Sequence, residues 1–169
     1  MKKALLIIDI QNDYLWEKRL KKFNYDTKSI IENINNTISK YKDECDIIYI
    51  SHLINNIITN KIIFGFSIKG TEGAKLYKGL NIVSDLKFDK YLSDAFSSKQ
   101  FANHMLNNNY EEVLICGLDL CGCVYHTAVG SIKHNYKTTI ISSSTACRYP
   151  INKKETAVNK LKEIGVKFI

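Results

Sequence analysis

The segment VLICGLDLCGCVYHTA (113–128) sets a cysteine where it could act as a nucleophile. An apolar run ends at Gly117 and a helical pattern begins near Cys121, so Cys123 falls in a first helical turn. Amides of a first turn lack intrahelical acceptors, and the helix dipole is positive there. Such a setting lowers a thiol pKa and favours a thiolate near neutral pH. The same free N–H groups can hold the oxyanion that develops when a carbonyl is attacked. A free cysteine can equally be a small buried core residue. Cys121 competes for the role, but residues two apart do not share a helix face, so at most one should point into a site.

A thiol nucleophile needs a proton acceptor, and no histidine is well placed by local sequence. Asp9 interrupts an apolar run at its carboxyl end, where a charge must be paired or functional. It could instead satisfy loop amides together with Gln11 or Asn12. Lys90 could pair with Asp9 and stabilise a thiolate and a tetrahedral intermediate. It could also be one more solvated lysine among 24 basic residues.

The elements that must position these groups alternate. Short β-branched runs at 4–9, 46–51, 82–89, 112–117, 137–142 and 166–168 read as strands. Helices are expected from Asp26 or Thr27 to about Tyr41, from Ser97 or Ser98 to about Asn108, over about 121–135, and over about 152–164 with Gly165 ending the last. The stretch 52–80 reads mostly as loop. Continuous apolar strands alternating with helices predict an α/β fold, a three-layer α/β/α sandwich. Its sheet is mainly parallel and Rossmann-like, with about six strands. Sites in such folds sit at the carboxyl ends of strands, where Asp9, Ser51, His52, Lys90 and the turn 117–123 all fall.

Composition narrows the class. The 169 residues suit one domain, 1–169, with 45% hydrophobic and 24% charged residues. The net charge of +7 comes from lysines scattered among acids, a solvated surface rather than a nucleic-acid face. The run after Lys2 and Lys3 is too short for a signal core or a membrane span. Five cysteines, an odd number with no metal-binding spacing, read as free thiols in a reducing, cytoplasmic setting.

Motifs in order along the whole chain resemble the isochorismatase-like cysteine hydrolase superfamily, which includes nicotinamidases and N-carbamoylsarcosine amidase-like enzymes. ALLIIDIQNDY (4–14) resembles its opening strand, and KYLSDAF (90–96) its lysine motif. CGLDLCGCVYHTA (116–128) resembles the nucleophile turn through Gly117, Cys123, Val124, Thr127 and Ala128. SSSTACRY (142–149) resembles the late strand and loop. The resemblance implies Asp9 as general base, Lys90 as charge-stabilising partner and Cys123 as nucleophile. It also implies a cis peptide at Leu118–Asp119, with the amides of Asp119 and Cys123 as oxyanion donors.

Departures matter as much. Leu120 stands where threonine is usual, Cys121 where an acid is common, and Thr145–Ala146 where the family often has Asp-Ala. The nicotinamidase Asp-x-His…His metal set is reduced to Ser51, His52, Leu53, with no later histidine before His104. One histidine without a carboxylate is not a metal site, so no metal and no cofactor is expected, and nicotinamide is disfavoured. Ether cleavage of the isochorismatase kind is disfavoured because Cys123 is present.

The expected activity is cleavage of a small amide-type C–N bond through a Cys123 thioester. Tyr14, Trp16, Phe96 and Tyr125 are expected to wall the pocket. The partners expected are a small-molecule substrate and further copies of the chain, as homodimer or homotetramer, with neither nucleic acid nor membrane. Two alternatives stand: a thiol redox or sensing protein using Cys121 and Cys123, and a non-catalytic small-molecule-binding member of the same fold.

Overall fold

A computed structural model describes residues 2–169. Six parallel strands, β1 (Lys3–Ile8), β2 (Cys45–His52), β3 (Lys87–Lys90), β4 (Glu112–Gly117), β5 (Lys137–Thr145) and β6 (Lys167–Phe168), form one sheet in the order β3-β2-β1-β4-β5-β6. The helices are α1 (Asn12–Leu15), α2 (Thr27–Tyr41), α3 (Ile58–Ile63), α4 (Lys99–Asn107), α5 (Cys123–Lys133) and α6 (Ile151–Glu163). The α/β class and the sheet of six strands are those the sequence leads one to expect.

The apolar run of β1 is explained by its place. It pairs with β2 on one side and β4 on the other, and both its faces are covered. Leu5 and Ile7 enter a core with Ile30, Ile31, Ile34 and Ile38 of α2. Ala4, Leu6 and Ile8 enter the opposite core with Phe101 and Met105 of α4, Val124 and Ala128 of α5, and Leu161 of α6. A strand buried on both faces cannot alternate polar and apolar residues.

Chain order reverses between β1 and β4, which opens a crevice at their carboxyl ends. Gly117 makes the junction possible. Its φ is +120°, and a Cβ there would come within 2.2 Å of the Ile8 carbonyl oxygen.

Several boundaries differ from expectation. β3 is short, and residues 81–86 lead into it without joining a ladder, so Lys90 closes the strand instead of following it. A register shift between Ile115 and Gly117 lets β5 continue to Thr145. α5 starts at Cys123, two residues later than its pattern suggests. α4 is preceded by a 3-10 turn at Ala95–Ser97. The stretch 52–80 contains α3, which buries none of its residues. Its later part folds back over α1: Asn12 and Asp13 amides donate to Lys75 and Gly73 carbonyls at 2.9 and 2.8 Å. Among the described residues no helix is long and apolar enough to cross a membrane.

Candidate active site

Asp9, Lys90 and Cys123 meet at the crevice. Asp9 leaves β1 with φ +55°, a left-handed conformation that aspartate tolerates better than most residues. Its carboxylate and the Lys90 ammonium are almost wholly buried, and Lys90 Nζ donates to Asp9 Oδ2 at 3.0 Å. Asp9 Oδ1 is buried with no hydrogen-bond partner. A buried carboxylate oxygen left open is costly, and a ligand or a moving proton can satisfy it. The Cys123 thiol beside it feels the charges of both partners.

Electrostatics at the thiol run against the reading from helix position. Burial first, then the Asp9 charge, push the Cys123 thiol up to about 12 against the opposing pull of Lys90. The resting sulfur is therefore a thiol at neutral pH. A helix dipole acts at an exposed end and cannot outweigh desolvation here. Burial alone would pull Lys90 down, but Asp9 and Cys123 together hold it above its ordinary value.

The turn 118–123 is braced by one side chain. Asp119 Oδ1 accepts from the Cys121 amide at 2.8 Å, and Oδ2 accepts from the Tyr25 hydroxyl at 3.0 Å and the Arg148 amide at 2.8 Å. The Leu118–Asp119 peptide is cis. Amides of Leu118, Leu120, Gly122 and Val124 donate to backbone carbonyls. Among the described residues the amides of Asp119 and Cys123 donate to none. Two backbone donors of this turn are thus left open among the described residues.

Asp9, Leu118, Asp119, Gly122 and Cys123 line a cavity of about 240 Å³, walled by Tyr14, Phe23, Tyr25, Phe66 and Tyr149, with Lys22, His52 and Arg148 also on it. Of the four aromatic residues expected there, only Tyr14 is present. Phe96 packs in the core on the other face of the sheet, stacked on His134 at 4.6 Å. Tyr125 packs against that same core, because its place on α5 turns it away from the crevice. Trp16 caps α1 outside the cavity lining. Tyr25, Phe23, Phe66 and Arg148 come from loops whose sequence carries no chemical signature.

His52 is held by its backbone: its amide donates to Gln11 Oε1 at 2.9 Å, and its carbonyl accepts from Gln11 Nε2 at 3.0 Å. Its Nδ1 lies 3.3 Å from the Tyr14 hydroxyl. Burial and the Lys90 charge lower its pKa, so it faces the cavity as a neutral ring. Among the described residues, the His, Cys, Asp and Glu side chains close enough to share one ion are Asp119, Cys121 and Cys147, a group without His52. The residues around His52 therefore do not fit a catalytic metal. Of the two neighbouring cysteines only Cys123 lines the cavity, and the Cys121 sulfur lies 3.4 Å from that of Cys147.

Residues 3–169 match the family model described as Isochorismatase domain. A protein of Arabidopsis thaliana described as a probable inactive nicotinamidase is 28% identical over 183 residues, spanning 97% of this chain and 90% of that protein. The pyrazinamidase of Pyrococcus horikoshii in complex with zinc superposes with a TM-score of 0.86 at 20% identity, covering 100% of this chain and 99% of that one. The pyrazinamidase/nicotinamidase of Streptococcus mutans gives 0.85 at 23% identity, covering 99% and 100%. At these identities the structural likeness establishes the shared fold.

Proposed function

The chain belongs to the isochorismatase family, and from that premise we propose that it is a metal-independent hydrolase of small C–N amides, working through a thioester on Cys123. The observation that carries this reading is the open Asp9 Oδ1 beside a protonated Cys123 thiol, with Lys90 fixed on the other carboxylate oxygen. Family members named nicotinamidase or pyrazinamidase act on amides, which supports the bond class.

Asp9 takes the thiol proton as sulfur attacks the substrate carbonyl. This transfer is uphill from a thiol at about 12, so it must be coupled to attack. The fixed Lys90 charge compensates the developing thiolate. The oxyanion forms against the open amides of Asp119 and Cys123, and losing one such donor typically costs about a hundredfold or more in rate. Collapse expels the amine, which takes the proton from Asp9 and leaves a thioester. Asp9 then removes a proton from water as its oxygen attacks, and the acid leaves as sulfur takes the proton back. No step is routed through a metal, because the donors around His52 do not form a set.

The functional unit spans 1–169 and is read as a cytoplasmic oligomer, homodimer or homotetramer. Ile58, Ile62 and Ile63 of α3 are 76%, 80% and 70% exposed, an apolar patch suited to a second copy. The test is release of ammonia or amine from a panel of small amides with EDTA present. Turnover that survives EDTA and is lost in Cys123→Ser supports the reading; turnover that needs added metal, or persists in Cys123→Ser, overturns it.

A further inference from the structure

Phe23 carries two cations on one ring. Lys22 Nζ and the Arg148 guanidinium carbon each lie 5.2 Å from its centroid. Both residues line the cavity that holds Asp9 and Cys123. Neither pairs with a carboxylate among the described residues. Arg148 gives one terminal nitrogen to the Tyr149 hydroxyl at 2.9 Å, while its Nε is buried with no acceptor. Lys22 Nζ also sits 4.3 Å from the Phe66 ring centroid. Partial burial first, and then the Arg148 charge, pull the Lys22 pKa down from its ordinary value.

The cavity's other charges do not supply that anion. Asp9 and Lys90 neutralise one another. Asp119 has its carboxylate committed to the Cys121 amide, the Tyr25 hydroxyl and the Arg148 amide, with no contact to either cation's head group. With the buried Lys90 behind Asp9 counted in, Asp9 and Asp119 stand against Lys22, Lys90 and Arg148, one positive charge in excess around the cavity. Cationic lining in a small cleft raises the local concentration of anions. A guanidinium is well matched to a carboxylate, and the rings of Phe23, Phe66 and Tyr149 offer flat apolar walls for the body between.

We propose that the Lys22–Arg148 end of the cavity is an anion subsite, so that the substrate is a small flat amide bearing a carboxylate. The carboxylate sits on the two cations and the amide carbonyl at Cys123. This rests on the hydrolase reading above and assigns its substrate class.

Two alkylating probes of equal shape test it: N-phenyl iodoacetamide and the same reagent with a para-carboxylate. Adduct formation at Cys123 is followed by peptide mass spectrometry at low salt, and each rate is divided by that of glutathione. The wild-type protein should favour the carboxylate probe by about tenfold, a preference that falls with added sodium chloride. Lys22→Met with Arg148→Met should bring the ratio to one, while Lys22→Arg with Arg148→Lys should keep it. A wild-type ratio at or below one overturns the proposal without any variant. A ratio unchanged in the folded double-methionine protein overturns it as well. If Cys123 takes neither reagent while glutathione takes both, Asp9 does not draw the proton off the thiol as sulfur attacks carbon, and the nucleophile reading falls with the subsite.

Discussion

Lys90 Nζ holds Asp9 Oδ2 at 3.0 Å in a pair that water hardly reaches, and the second carboxylate oxygen is left open beside Cys123. One oxygen anchors the base and the other does its work. The pair links the ends of β1 and β3, which lie on either side of β2 in the sheet.

Breaking that pair strands a buried charge. Lys90→Met and Asp9→Asn should each lower unfolding free energy by about 3 kcal/mol or more, measured by urea denaturation. The double substitution should cost less than the sum, because each single change leaves one uncompensated partner. Strict additivity would show that the two groups do not interact.

Titration of the thiol follows in sign from its neighbours. Asp9 raises the Cys123 pKa and Lys90 lowers it, with burial the larger cause. The difference in absorbance at 240 nm between wild type and Cys123→Ser should show no thiolate at pH 7 and a rise only in strongly alkaline solution. Asp9→Asn should move that rise down, and Lys90→Met should move it up. The raised folded values of Cys123 and Lys90 also set a stability window. Their contribution is complete below their unfolded values, near 8.5 for the thiol and 10.4 for the amine. It is lost as pH rises through the folded values. Unfolding free energy should therefore fall from about pH 9 upward, and fall less in Cys123→Ser.

Gly117→Ala tests the strand junction. A Cβ at φ +120° and 2.2 Å from a backbone oxygen has no room, and that oxygen sits in a central strand that cannot yield. The substitution should cost about 3 kcal/mol or more in thermal or urea unfolding, placing it in the severe tail of point mutations. A loss below about 1 kcal/mol would mean that β1 and β4 part easily.

Replacing Ile58, Ile62 and Ile63 together with serine should leave the thermal midpoint nearly unchanged, since α3 buries none of its residues. Sedimentation velocity should show the wild type as an oligomer and the variant shifted toward monomer. A wild type that sediments as a monomer at micromolar concentration would remove α3 from any interface.

Much of the fold was legible because β1 and β4 are continuous apolar runs, a pattern that only doubly covered strands require. Asp9 and Cys123 stood out as polar or reactive groups at the ends of those runs. What was not legible came from long-range contact. Phe23, Tyr25, Phe66 and Arg148 reach the cavity through loops, and no periodicity marks a loop residue as a wall. Phe96 and Tyr125 went to the opposite core because helix phase, not proximity in sequence to Lys90 or Cys123, decides which face a ring covers. The thiol pKa direction was misread because the first-turn position is visible in sequence and its burial is not. α3 escaped notice because six residues are too few to show a helical period, and none of them is buried to mark a face.

Intact-mass spectrometry of protein quenched in acid during turnover of a cleaved amide tests the Cys123 nucleophile most directly. The wild type should carry an adduct of the acyl group's mass, mapped to the Cys123 peptide and released by hydroxylamine, and Cys123→Ser should carry none and turn nothing over. An adduct at another residue, or undiminished turnover by Cys123→Ser, would contradict it.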